Sequence, residues 1–165
     1  MYGREIEALL SKFKSHGNFM GIFARGEKPH FKVGSVAIFN TLTQASPEST
    51  KEGEQTSEER QNQTGHWLCI SRPSHRLFEI FDAEPRRTGS FTYLFDGYTG
   101  SLVLNTVDLM PPGSKMCGQF AVYFVVIRLS NIDIDFTTLI NMYLSLDLIS
   151  NTHRVRQLLR ELETE

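Results

Sequence analysis

Hydrophobic residues in the first part of this chain follow a helical period and then form short runs typical of strands. Residues 6, 9, 10 and 13 are apolar at the i, i+3, i+4 and i+7 spacing of an amphipathic helix over residues 3–14. Runs rich in β-branched and aromatic residues follow and predict strands. The predicted strands cover residues 33–40, 65–71, 77–82, 91–95 and 101–105, with a short strand or turn at 18–23.

Helical patterns dominate the second part of the chain. Residues 120–127 form an unbroken apolar segment that begins just after Cys117, Gly118 and Gln119. This pattern predicts a buried helix with the cysteine at its amino end. Residues 136–148 predict a second buried helix. The last apolar positions lie on one face of a terminal amphipathic helix; they are Val155, Leu158, Leu159 and Leu162.

Residues 44–64 interrupt this pattern. They contain no Val, Ile, Leu, Met, Phe, Trp, Tyr or Cys, so they have too little apolar surface to offset the entropy of ordering. The segment before them is too short to fold alone. We therefore predict a single domain over residues 1–165, with a disordered surface insertion at 44–64.

Composition and charge restrict the function further. The chain has 165 residues, 40% of them hydrophobic, and a net charge of -2. Residues 44–64 hold five Glu against Lys51 and Arg60, so the rest of the chain is almost neutral and gives little reason to expect tight nucleic-acid binding. Two cysteines do not make a disulfide framework, and no apolar run approaches the length of a membrane span. We expect an intracellular protein that does not enter membranes.

Three residues that can carry chemistry lie at the ends of predicted elements. Cys117 is at a helix amino terminus, where free N–H groups and the helix dipole lower a thiol pKa. His66 opens a strand and Asp82 closes its hairpin partner, so the two meet at one edge of a sheet. Together they are the parts of a thiol nucleophile, a general base and a residue that orients the base. Taken singly, each also has an ordinary structural interpretation, and a buried cysteine that only packs is common.

Short motifs around these residues resemble the adenain family of viral maturation proteases and, more distantly, the SUMO-specific proteases. They are Gly65-His66-Trp67, Ile80-Phe81-Asp82 and Lys115-Met116-Cys117-Gly118-Gln119-Phe120, in the family's order and at similar spacing. Residues 18–23, followed by Pro29 and Phe31, resemble a further adenain segment. The resemblance covers roughly residues 5–145. It implies an α+β fold whose central, mostly antiparallel sheet is flanked by helices, with the nucleophile at the amino terminus of a buried helix.

The resemblance also implies an activity. His66, Asp82 and Cys117 are the expected catalytic triad of a cysteine endopeptidase, and the backbone N–H of Cys117 is the expected oxyanion donor. Trp67 is the expected wall of a narrow substrate channel, or alternatively a core aromatic residue. The implied substrates are viral capsid or core precursors cleaved after small residues such as Gly, in the host nucleus and virion. The resemblance implies no metal or cofactor. It implies an activating peptide as a partner. DNA is a weaker expectation as an activator, because the chain outside residues 44–64 is nearly neutral.

Two of the departures from the family pattern lie at the expected site. Asp82 replaces a Glu, and a second alignment gives the orienting role to Glu79 instead. Met110 and Pro111 occupy the positions where the family has an oxyanion glutamine, so Asn105 or further backbone N–H groups become candidates for that role. Two other functions stay open: a protease for a ubiquitin-like modifier, and a catalytically weak or inactive interaction module.

Overall fold

The computed structural model describes residues 3–14, 17–43, 65–85 and 88–164. In that part of the chain, a helix and five strands come first and three helices come last, which agrees with the hydrophobic pattern except at residues 91–95. The strands are β1 (Phe19–Arg25), β2 (Ser35–Thr43), β3 (Trp67–Ser74), β4 (Leu77–Phe81) and β5 (Ser101–Leu104). The helices are α1 (Gly3–Lys14), α2 (Cys117–Ser130), α3 (Phe136–Tyr143) and α4 (Leu148–Thr164), with a 3-10 helix at Thr88–Phe95.

The five strands form one mixed sheet in the order β1-β2-β3-β4-β5. The central pairs β2–β3 and β3–β4 are antiparallel, and the outer pairs β1–β2 and β4–β5 are parallel. The α+β class is confirmed. The antiparallel character predicted for the sheet holds for its three central strands, and the parallel outer pairs had no signal in the sequence.

The sheet separates two hydrophobic cores. On one face, α2 packs across β2 and β3, and α1 and α4 pack against α2. On the other face, an aromatic cluster is centred on Phe39, Phe78 and Phe91, and the 3-10 helix contributes to it. Since β3 lies in the centre of the sheet and α2 lies directly against it, the first core fixes where the helix begins relative to the strand ends.

Two predicted elements differ from the structure. Residues 91–95, predicted as a strand, belong to the 3-10 helix, because Phe91 and Phe95 both turn towards the second core at helical spacing. The helix predicted over residues 136–148 ends at Tyr143, where the chain becomes extended at Leu144 before α4 begins. The predicted insertion at 44–64 lies outside the described residues.

The helices show no sign of a membrane-spanning segment. Over residues 3–14, 17–43, 65–85 and 88–164, none of them combines the length and the hydrophobicity that crossing a bilayer requires.

Candidate active site

The hairpin formed by β3 and β4 brings His66 and Asp82 together. Cys69 pairs with Phe81 in this hairpin, and extending that register by one residue places Asp82 opposite Leu68, two positions from His66. The ring atom Nε2 of His66 lies 2.6 Å from Oδ1 of Asp82. Both side chains are nearly shielded from solvent, at 10% and 0% exposure. The edge of the sheet therefore holds a short, sheltered imidazole–carboxylate pair.

The main chain on both sides of this pair is fixed by hydrogen bonds. Thr41, on β2, accepts from the His66 N–H through its hydroxyl at 3.0 Å and donates its own N–H to the His66 carbonyl at 2.9 Å. The same Asp82 oxygen that faces the imidazole accepts the Glu84 N–H at 2.9 Å. The other carboxylate oxygen, Oδ2, is buried and has no hydrogen-bond partner among the described residues. Thr41 and Glu84 carry no recognisable sequence signal for these contacts.

Cys117 is the first residue of α2, as predicted. The preceding residue, Met116, makes no side-chain capping bond, and the first backbone bond of the helix runs from the Phe120 N–H to the Met116 carbonyl at 2.9 Å. The N–H groups in the first turn of α2 have no helical partner, so they can face the thiol of Cys117. The His66 side chain and the backbone N–H groups of Trp67 and Gly118 lie close enough to the Cys117 sulfur to lower the pKa of its thiol.

The three groups shift one another's proton affinity. Burial lowers the pKa of His66, but hydrogen bonds to Asp82 and Cys117 outweigh burial and raise that pKa from 6.5 to about 9. Burial raises the pKa of the Cys117 thiol, but the hydrogen bond to His66 and the bonds from Trp67 and Gly118 outweigh it and lower the pKa below 9.0. Because a cation at His66 and an anion at Cys117 stabilise each other, the pair favours a thiolate and an imidazolium.

Glu79, the alternative orienting residue, faces another partner. Its Oε2 accepts from the Ser71 hydroxyl at 2.5 Å and lies 3.4 Å from Nε of Arg128, near the end of α2. The structure therefore pairs His66 with Asp82 and removes the Glu79 alternative.

Asn105 is not placed to stabilise an oxyanion. Its Nδ2 donates to the Asp82 carbonyl at 2.6 Å and to the Val107 carbonyl at 3.2 Å, which uses both amide hydrogens. Its Oδ1 accepts the Asp82 N–H at 2.9 Å. The predicted oxyanion role of Asn105 is wrong for this conformation, because a donor that already serves two buried carbonyls is not available to a substrate oxygen.

Met110 and Pro111 supply no replacement. The Met110 side chain is buried in the first core, and Pro111 has no N–H. Backbone N–H groups at the start of α2, the Cys117 N–H among them, stay the predicted oxyanion donors.

The Trp67 side chain is more buried than expected for a residue that lines an open substrate channel. Its side chain is 6% exposed and belongs to the first core, and a Cβ placed on Gly3 of α1 would lie 3.6 Å from the indole ring. The indole Nε1 is buried and has no hydrogen-bond partner among the described residues. This position matches the core alternative, while the backbone N–H of Trp67 contributes to the thiolate.

The second cysteine has a different environment. Cys69 is fully buried, and its thiol donates to the Ala121 carbonyl at 3.2 Å. Burial raises its pKa well above the ordinary value, with a further contribution from the charge of Asp82. The two thiols therefore differ in both exposure and acidity. Among the described residues, no group of three or more His, Cys, Asp and Glu side chains could hold a metal ion.

Comparisons with known proteins add little to this description. No protein-family model and no curated protein matches the chain. Among solved structures, ChlaDub1 from Chlamydia trachomatis is similar over 98% of this chain and 78% of its own, with a TM-score of 0.48 and 14% sequence identity. A likeness this weak carries no functional argument, so the resemblance to the adenain family stays a prediction and the evidence for a function lies in the site itself.

Proposed function

We propose that this protein is a cysteine endopeptidase whose nucleophile is the Cys117 thiolate. The observation that supports it is the 2.6 Å pair of His66 and Asp82, placed so that His66 lowers the pKa of Cys117 at the amino end of a buried helix. Each member has the environment that its role needs. The thiol has a lowered pKa, the imidazole a raised one, and the carboxylate is fully buried behind the ring.

The first half of the proposed reaction is acylation. The Cys117 thiolate attacks the scissile carbonyl carbon, a C–S bond forms, and the carbonyl oxygen becomes an oxyanion. Nε2 of His66 is held by Asp82, so Nδ1 is the ring nitrogen left to serve the thiol and the leaving group. The imidazolium donates its proton to the leaving amine as the C–N bond breaks, which leaves a thioester on Cys117.

The second half is hydrolysis of the thioester. Neutral His66 removes a proton from water, the resulting hydroxide attacks the thioester carbonyl, and the C–S bond breaks to release the carboxylic acid and the thiolate. Backbone N–H groups at the start of α2 are the donors we assign to the oxyanion in both halves. Since Asn105 is engaged by two carbonyls and Met110 and Pro111 have no side-chain amide, we expect a slower enzyme than one with the family's oxyanion glutamine.

Alkylation of the thiols tests the nucleophile without knowledge of the substrate. We expect iodoacetamide to modify Cys117 rapidly at mildly acidic to neutral pH, because only the thiolate reacts. Cys69 is the internal control, since it is buried and its pKa is raised. Peptide mass mapping after short exposures gives both rates in one sample. Equal rates for the two cysteines in the folded protein would contradict the proposal.

We extend the proposal to the substrate on the basis of the resemblance alone. The enzyme would cleave after small residues such as Gly in viral capsid or core precursors, inside the infected cell, with an activating peptide as a further partner. A protease for a ubiquitin-like modifier is the alternative. A fluorogenic ubiquitin-like protein with a carboxy-terminal diglycine, compared with capsid-precursor peptides containing internal Gly, separates the two. Cleavage of neither, by a protein whose Cys117 reacts rapidly with iodoacetamide, would contradict both substrate assignments and leave the nucleophile standing.

A further inference from the structure

The Asn105 side chain continues the β-sheet ladder beyond its last strand pair. β4 ends at Phe81 and β5 ends at Leu104, and their final parallel pair is Ile80 with Leu104. The next residue after β5 is Asn105, whose side-chain amide then bonds to both the N–H and the carbonyl of Asp82. One amide side chain thus takes the place of a neighbouring strand's peptide group.

The bonds from Asn105 fix the main chain of Asp82, whose carboxylate contacts the His66 ring. Asp82 lies outside β4, so its N–H and its carbonyl are not paired with a neighbouring strand. Within the part of the chain that the structure describes, both bond to the Asn105 side chain. Asp82 and Asn105 are 0% and 7% exposed, so water cannot readily replace a lost bond. A carboxylate whose main chain is fixed on both sides keeps its oxygen aimed at the imidazole.

We infer that Asn105 is a positioning residue, which fixes the main chain of Asp82 so that its carboxylate orients the His66 imidazole. This inference rests on the proposed function, because it assigns Asn105 a part in the same site. The third bond, from Nδ2 to the Val107 carbonyl, fixes the amide itself and leaves it no donor for a substrate. Asn105 therefore acts through Asp82 and touches neither the nucleophile nor the reacting carbonyl.

The experiment measures the pKa of the His66 ring directly and does not rely on enzyme activity alone. Histidine is labelled with ¹³C and ¹⁵N, the five histidines are titrated by NMR, and the His66 signals are identified by their loss in His66→Gln. In the wild type we expect a pKa of about 9. In Asn105→Ala we expect this pKa to fall towards 6.5, because a loosened Asp82 stabilises the imidazolium less while burial still opposes the charge.

Asn151→Ala is the matched control. Asn151 is likewise a buried asparagine that bridges main-chain groups, and its side-chain hydrogen bonds are to Leu109 and Ser145 rather than to Asp82. It should lose stability and leave the His66 pKa unchanged. If Asn105→Ala does not fold, Asn105→Ser is titrated instead, since its hydroxyl can replace one of the lost bonds.

A peptide substrate, once found, gives a second readout. We expect kcat to fall about 100-fold in Asn105→Ala with little change in KM, because the loss is in the geometry of the base. A raised His66 pKa that is the same in the wild type and in the folded Asn105 variant would overturn this inference and leave the proposed protease intact. A wild-type His66 pKa near 6.5 would instead count against the proposed function.

Discussion

Arg128 and Glu79 connect the end of α2 to the strand that leads to Asp82. Nε of Arg128 lies 3.4 Å from Oε2 of Glu79, and both side chains are almost fully buried. The two terminal guanidinium nitrogens of Arg128 donate to the Ile134 and Ile132 carbonyls at 2.6 and 2.5 Å. One buried cation therefore ties together α2, β4 and the turn that follows α2.

Removing this cation should destabilise the fold strongly. In Arg128→Met, Glu79 becomes an uncompensated buried charge and two carbonyls lose their donor, so we expect the free energy of unfolding to fall by about 3–5 kcal/mol. Urea unfolding followed by circular dichroism measures it. In the double variant with Glu79→Gln, part of this loss should be recovered. Strictly additive losses for the two substitutions would show that the pair does not interact.

Glu79 should also make stability depend on pH. Burial raises the pKa of Glu79 above 4.5, against the opposing effects of Ser71 and Arg128. Above pH 4.5 the unfolded chain releases this proton before the folded chain does, so stability should fall as pH rises towards the folded-state pKa. Unfolding free energies at several pH values, compared with those of Glu79→Gln, isolate this contribution. Identical pH dependence in the two proteins would contradict the assignment.

The wild-type activity should form a bell-shaped pH profile. Activity should rise as Cys117 loses its proton, at a pH below the ordinary thiol value of 9.0, and fall as His66 loses its proton at about pH 9. The acidic limb can be measured independently from the rate of Cys117 alkylation. A single limb at the ordinary thiol pKa would mean that the imidazole does not stabilise the thiolate.

Replacing the carboxylate should shift the alkaline limb. In Asp82→Asn the imidazolium loses its anionic partner while burial still opposes its charge, so the His66 pKa should fall below about 9. We expect kcat/KM to decrease roughly 10²- to 10⁴-fold. Asp133→Asn, the same change at an exposed aspartate, is the matched control and should be neutral. An unshifted profile in Asp82→Asn would argue against Asp82 as the orienting residue.

The stacked rings of Phe81 and Phe124 should affect both the stability of the fold and the reactivity of Cys117. The ring centroids lie 4.4 Å apart at an interplanar angle of 5°, and they join β4 to α2. Phe124→Ala should lower the free energy of unfolding by about 3–5 kcal/mol and slow the alkylation of Cys117 at neutral pH.

Phe78→Ala is the control for this pair. Phe78 is buried in the second core, on the other face of the sheet, so its loss should cost similar stability and leave the alkylation rate of the folded protein unchanged. Equal slowing in both variants would mean that the effect is a general loosening of the fold.

The sequence predicts the elements that bear the site because their patterns are local. The apolar run after Cys117 specifies a buried helix, and the turn residues between two strand-like runs specify the hairpin of His66 and Asp82. The contact with Asn105 could not be predicted in the same way, since it joins residues 23 positions apart and depends on β5 lying beside β4.

The missed elements have equally physical causes. Phe91 and Phe95 suggested a strand because aromatic residues favour sheets, but both rings pack into a core that only the fold creates. Trp67 follows His66 in a motif that suggests a substrate wall, yet its indole ring is buried in the first core beside Gly3 of α1, which is distant in the sequence. Such roles are set by tertiary contacts and leave no periodic signal.

Glu79 and Asp82 lie three residues apart on one stretch of chain, and each holds a different part of the site. Glu79 holds the carboxyl end of α2, and Asp82 holds the His66 imidazole, which faces the amino end of the same helix. A slip of one residue in the pairing of β4 with β3 would turn the side chains of β4 to the opposite face and displace the residue that follows it. The Glu79–Arg128 contact and the His66–Asp82 pair would then be lost together, so a misregistered hairpin should yield an unstable molecule that proteolysis can remove rather than a stable one that lacks only the site.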